Sequence, residues 1–268
     1  HDIFEIVDDT EDSVNDTQIS FQYNFDKKFR VVRGNEVVGT QLAISDSTFD
    51  IDDGWHYIEF QCVINNTTGS FSAQFDGVTI AGLTKTGQDT RNGANDLANS
   101  IILRSVNVGG ITSCFYDDLY IANGATPGVI AMLGDMKVDA LFPKADGNYE
   151  EFTNSSGTDA FALVNINPPD DDTSHVESNV VGKKNSFDMD DAGNFVIHGV
   201  QHVLDIRKTA SNVRKIKHLV RGGGSDNFGA LVRMGESFNM KTKMWETNPK
   251  TGSQWLFGEV NGAEFGME

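Results

Sequence analysis

The sequence predicts an all-β protein of two tandem antiparallel β-sandwich (jelly-roll) domains, on three observations. Short alternating or β-branched runs closed by Gly, Asn or Asp recur along the whole 268-residue chain. Helical periodicity is nearly absent, and the best candidate, "TPGVIAMLGD", is interrupted by its own proline and glycines, leaving room for a turn or two. Composition agrees, with 27 glycines and 18 phenylalanines against 5 prolines, which suits many turns and greasy inward faces. Sheets that are apolar on one face must bury it against each other, hence sandwiches.

Acidic residues number 39 against 21 basic ones, a formal charge of −18 at pH 7. That balance opposes binding to phosphate backbones and anionic lipid, so no nucleic-acid partner is expected. No apolar run approaches the roughly 20 residues of a membrane span, so no membrane insertion is expected either. The sequence opens at His1 with no signal-peptide pattern, as a trimmed or processed product would. Cys62 and Cys114 are too few for a disulfide framework; they either pair across neighbouring strands or stay as buried free thiols.

In chain order, "VDDTEDSVND" reads as a solvated acidic segment. "TQISFQYNF" and "FRVVRG" read as strands. In "GWHYIEFQCVI", alternation sends His56, Ile58, Phe60, Cys62 and Ile64 to a core face and Trp55, Tyr57, Glu59, Gln61 and Val63 to the other. "NNTTG" turns the chain, "SFSAQFDG" returns with Phe71, Ala73 and Phe75 on one side, and Asp76-Gly77 turns it again. "SIILRSVNV" and "CFYDDLYIA" complete the first half. A composition break at "ANGATPG" sets the domains at 1–123 and 124–268. Beyond it "AFALVNI", "FVIHGVQHVLDIRK", "RKIKHLVR" and "NMKTKMWE" read as further strands.

In the first half, "WHYIEFQCVINNTTGSFSAQFDG" followed by "YDDLYI" resembles the concanavalin A-like lectin/glucanase group in its LamG-like form. There a tryptophan-led strand ending in Glu passes through an Asn-x-Thr-Gly turn to an Asp-Gly strand, and an acidic strand closes the domain. The resemblance covers about residues 19 to 123 and implies a concanavalin A-like sandwich. One departure is that only Asp26 separates "SFQYNF" from "KKFRVVRG", where a further strand pair belongs, so the domain is pared down or incomplete at its N-terminal part. The glucanases of this group carry an E-x-D-x-x-E strand, which this chain lacks. Because related domains bind calcium near such a strand, Asp117 and Asp118 are the candidate calcium ligands; the alternative is one acid accepting loop amide hydrogens while its neighbour faces water. No other cofactor is expected.

In the second half, the landmarks "PKADG", "FTNSSGT", "ALV", "PPDDDTSHV", "VGKKNSFD", "HGVQHVLDIRKT", "RKIKHLVRGGG", "WETNPKTGSQW" and "EVNGAEFGME" follow the order of a widespread bacteriophage and prophage virion protein, described as a tail-fibre, tail or minor structural protein. The resemblance spans about residues 136 to 268. It implies a non-enzymatic particle component, assembled in the host cytoplasm and carried on the tail or another virion appendage. Such a component forms a homo-oligomer, with a trimer the expectation, contacts other virion proteins, and attaches to host-surface glycan by many weak contacts. The alternative is an architectural protein that decorates head or tail and meets no ligand; a glycan depolymerase is the remote third.

Three constellations in this half carry chemistry. Trp245 and Trp255 flank a turn at Pro249 and Gly252, as core residues bracketing a hairpin or as a stacking platform for sugar. His198 and His202 share a strand face with no third metal ligand in reach of the pattern. Asp170, Asp171 and Asp172 read as a solvated loop or a cation loop.

Overall fold

The computed structural model describes residues 2–9, 17–51, 54–104, 114–124, 132–157 and 159–268. The chain divides into two compact units, His1–Val138 and Asp139–Glu268. This division lies C-terminal to the composition break. The reason is local: the Leu133 and Gly134 amides donate to the Glu59 carboxylate at 2.7 and 3.1 Å, and the Val138 amide to Asp118 at 2.7 Å, so residues 132–138 belong with the first unit.

Among the described residues, the first unit has nine strands: β1 Asp2–Val7, β2 Thr17–Tyr23, β3 Phe29–Arg33, β4 Thr40–Ile44, β5 Ile58–Val63, β6 Gly69–Phe75, β7 Val78–Thr79, β8 Lys85–Gln88 and β9 Ser100–Leu103. One antiparallel sheet runs β4-β3-β2-β1-β9, and a second runs β5-β6-β7 with β8 also paired to β6. Their inner faces share one core. In β2, Ile19, Phe21 and Tyr23 point inward and are at most 1% exposed. From the facing sheet come Phe71 and Ala73, with Ile58, Phe60 and Cys62 packed against them. Phenylalanine rings cross the gap: Phe21 and Phe4 reach Phe60 at 5.3 and 5.6 Å, and Phe29 reaches Phe75 at 5.6 Å. Each such ring buries roughly 150–250 Å² and supplies much of the stabilisation. Asp76 and Gly77, both at positive φ, make the tight β6–β7 turn that this pair favours. Both cysteines are free, and burial pushes the Cys62 thiol up to about 12.

The other face of β2 is buried as well, but polar. Gln18 accepts the Asn92 amide at 2.7 Å and donates to the Asn95 and Leu97 carbonyls at 3.3 Å, which fastens the 92–97 loop over the sheet. Beside it, Glu5 takes Arg104 at 3.2 and 3.0 Å and the Thr17 hydroxyl at 3.1 Å, while Gln22 donates to Asp2 at 2.9 Å. Burial, followed by a hydrogen bond to Glu5, pushes the Asp2 carboxyl up to about 6.

The second unit holds β10 Pro143–Glu150, β11 Thr153–Asn154, α1 Ala160–Val164, β12 Val176–Glu177, β13 Asn185–Met189, β14 Val200–Ile206, β15 Lys215–Ile216, β16 His218–Gly222, β17 Ser225–Phe228, β18 Val232–Arg233, β19 Asn239–Trp245, α2 Phe257–Asn261 and β20 Ala263–Met267. Its main sheet runs β10-β13-β20-β16-β17, and β14-β19 forms a separate antiparallel pair. Side chains of that pair pack on one face of the main sheet in two clusters. Leu204 and Ile206 meet Phe187 and Met267, while Trp245 meets Val220 and Phe265. The central strand β20 lies very close to β13, since a Cβ at Gly266 would stand 1.9 Å from the Asn185 carbonyl oxygen.

Four local expectations change. "AFALVNI" is the helix α1, because the Asp146 carboxylate on β10 accepts the Ala160 and Phe161 amides at 3.1 and 2.6 Å and starts a turn that Ala and Leu favour. The "CFYDDLYIA" segment contains no strand among its described residues; Asp118 takes a positive φ that breaks an extended run. "FVIHGVQHVLDIRK" is a strand over Val200–Ile206 alone. The arm after the Pro249–Gly252 turn leads into α2 and not into a strand. Residues 126–131 of the helix candidate "TPGVIAMLGD" and most of "VDDTEDSVND" lie outside the described residues, and the described residues 132–135 form no helix.

Candidate functional site

Trp245 ends β19 and Trp255 precedes α2; both are buried, at 7% and 2% exposure. Asn248 organises the intervening turn, its carbonyl accepting the Gly252 amide at 2.8 Å and its side chain the Lys250 amide at 2.9 Å. Trp255 Nε1 donates to the Trp245 carbonyl at 2.9 Å, which closes the base of the turn. One ring lies 5.0 Å below Lys243 Nζ and the other 6.4 Å from Phe265. Neither offers an open face for a sugar, so the sugar-platform expectation gives way to the core one.

Asp117 and Asp118 occupy a bend rather than opposite faces of a strand. Asp117 accepts the Asp118 amide at 2.8 Å and is exposed, while Asp118 accepts the Val138 amide. The pair thus braces the 132–138 segment. Among the described residues, no group of three or more His, Cys, Asp or Glu side chains is arranged to hold a metal.

His202 turns inward from β14 as its alternation requires, but its partner is His218 on β16 and not His198: the two Nδ1 atoms are 3.2 Å apart. This pair belongs to the core, with His202 edge-on to Phe265 at 5.7 Å. On the opposite face of the main sheet, Asp226 accepts Lys184, Arg221 and the Tyr149 hydroxyl at 2.7, 2.7 and 2.8 Å. Burial alone would raise that carboxyl, yet these donors outweigh it and hold it at about 2. Lys184 also lies over the Tyr149 and Phe228 rings, so the array satisfies its own charges.

A bay of about 810 Å³ opens at one end of the β14–β19 pair. Asp205 on β14 and Met240 on β19, register partners, form one wall. The 170–174 loop brings Asp171 and Asp172 to another, folded by Asp170, whose carboxylate accepts the Ser174 amide at 3.1 Å. Arg207 pairs with Asp172 and stacks 5.2 Å from the Phe238 ring centroid; Glu236 accepts Lys208 at 3.3 Å. Among the described residues Asp171 and Asp205 form no ion pair. The bay therefore presents carboxylate oxygens for hydroxyl or ammonium donors beside an apolar rim, a combination suited to a polyhydroxylated or cationic ligand.

Of these residues the sequence singles out Asp170–Asp172, and strand alternation puts Asp205 on the face opposite His202. Sequence reasoning misses Arg207, Glu236 and Phe238, which follow β14 or precede β19. Once those strands are known to pair, their ends must meet, and that register was the available signal. No family model, no curated protein and no solved structure matches the chain.

Proposed function

We propose that this chain is a non-enzymatic structural component of a bacteriophage virion, a tail-fibre or appendage protein that attaches to host-surface glycan. The acidic bay carries the binding half of this reading: unpaired Asp171 and Asp205 accept sugar hydroxyls, and Met240 and the rim of Phe238 receive the apolar face of a ring. The order of landmarks over residues 136 to 268 supports the virion half. A shallow site of this kind binds weakly in one copy; a homo-oligomer, trimeric by the same resemblance, multiplies contacts into useful avidity. Attachment then takes place on the assembled particle, beside other virion proteins.

The experiment is glycan-array binding by the full chain and by Asp171→Asn and Asp205→Asn variants. Binding that falls at least about tenfold in either variant, a loss of roughly 1.4 kcal/mol, supports the reading. Binding unchanged in both, or absent from the parent chain, counts against it.

The architectural reading draws on a different observation. Val203, Met240 and Met244 stand 47%, 62% and 48% exposed on the outward side of the β14–β19 pair, an apolar row that a neighbour in a lattice would cover. A particle reconstruction separates the two by showing the row covered within a symmetric shell or exposed on a fibre.

A further inference from the structure

Among the described residues, the β14–β19 pair shares no backbone ladder with the main sheet of its unit. It is held there by side chains, and in the middle of that contact lie two imidazoles. His202 from β14 and His218 from β16 are 9% and 1% exposed, with Nδ1 atoms 3.2 Å apart. At that separation one proton lies between them: one ring donates from Nδ1 and the other accepts there. The pair bridges the two apolar clusters, since His202 touches Phe265 and His218 is the register partner of Met267.

We propose that the His202–His218 contact is an acid-operated latch, which holds the β14–β19 pair on the main sheet at neutral pH and releases it in acid. A first added proton goes to the Nε2 of whichever ring donates, and on His218 that nitrogen is buried without a partner. A second gives both Nδ1 atoms a hydrogen, and the two N–H groups then oppose each other. The elements packed around the pair do not offset the charge. From β19 comes Lys243, a cation, which is the register partner of His202 and acts on His218. From β20 come Phe265 and Met267, which are apolar, and Gly229 after β17 adds no charge. Glu264 of β20 lies on the opposite face with Asn148 and Ser186, and Asp205 of β14 faces the bay.

Burial first, and then the neighbouring imidazole, pulls His202 down to about 3; burial and Lys243 pull His218 down as well. Both shifts are depressions, so the stability they confer is complete above the ordinary histidine range near 6.5. It is lost as pH falls toward the folded-state value of about 3. Release would also take Asp205, Asn239 and Met240 out of the bay wall, so any ligand held there would be shed. That last consequence rests on the binding reading above; the latch itself does not.

Hydrogen exchange on the full chain tests the latch without a ligand. Between about pH 7 and about pH 4, with intrinsic rates corrected, amides of Val200–Ile206 and Asn239–Trp245 should lose at least tenfold in protection, while β5 and β6 keep theirs. In a His202→Phe, His218→Leu double variant that acid step should vanish. Equal loss in both units, or an acid step that persists in the double variant, overturns the proposal. Should the double variant not fold, imidazole proton shifts of the parent chain decide: midpoints near 6.5 overturn the latch, and midpoints below about 5 support it.

Discussion

Whereas the first unit faces its sheets across one continuous layer of phenylalanine rings and keeps the buried acids Asp2 and Glu5 on the far side of its first sheet, the second unit places its buried imidazoles inside the core, between two apolar clusters. The difference lies in what each polar pair stabilises. Asp2 and Glu5 work with Gln22, Thr17 and Arg104 on a face where water and counter-charge are close. His202 and His218 join two layers that share no backbone ladder among the described residues. The first unit should therefore depend most on volume, and the second on specific polar contacts.

Substituting Phe21→Ala should have the largest effect, costing the first unit about 3–5 kcal/mol, because its ring is fully buried and touches three others. Urea unfolding followed by near-ultraviolet circular dichroism measures it, and a cost below about 1.5 kcal/mol would break the comparison. Glu59→Gln comes next. It weakens the carboxylate that the Tyr120 hydroxyl and the Leu133 and Gly134 amides share, for a loss of about 1–3 kcal/mol and faster proteolysis within 132–138. Trp255→Phe keeps most of the volume and removes the bond to the Trp245 carbonyl; about 1 kcal/mol lost in the second unit would sharpen the contrast.

A pH series sharpens it further. Asp2 is raised in the folded state, so its favourable contribution is complete below its ordinary value of 3.8 and declines as pH climbs through about 6. The two histidines shift the other way. Asp2→Asn should flatten the slope of first-unit stability between about pH 4 and 6, read by exchange of β1 and β2 amides, and leave the acid response of the second unit in place. At the bottom of the scale, Asp50→Asn should change stability by no more than about 0.5 kcal/mol, since its pairing with Lys27 is half exposed and screened.

Strands whose own side chains record the burial pattern were legible in sequence. β2, β5, β6 and the paired β14 and β19 fall within runs whose alternation is local and sufficient. α1 was not legible, because its five residues are apolar in either form and the carboxylate that starts it sits 14 residues away on β10. The imidazole pairing was hidden for a related reason: alternation places His202 on the inward face, but only the packing of one sheet on another selects His218 over His198. The bay draws on a loop and two strand ends, and no window of sequence contains it.

The place of β20 has a consequence for biosynthesis. It is the last strand of its unit in sequence, yet it lies in the middle of the main sheet, paired with β13 on one side and β16 on the other. On the ribosome, β10 and β13 would wait on one side and β16 and β17 on the other, their edges open, until Ala263–Met267 leaves the exit tunnel and zips them together. A nascent chain stalled before that point would be sticky and protease-sensitive in its second unit, and completing those few residues would convert it in one step.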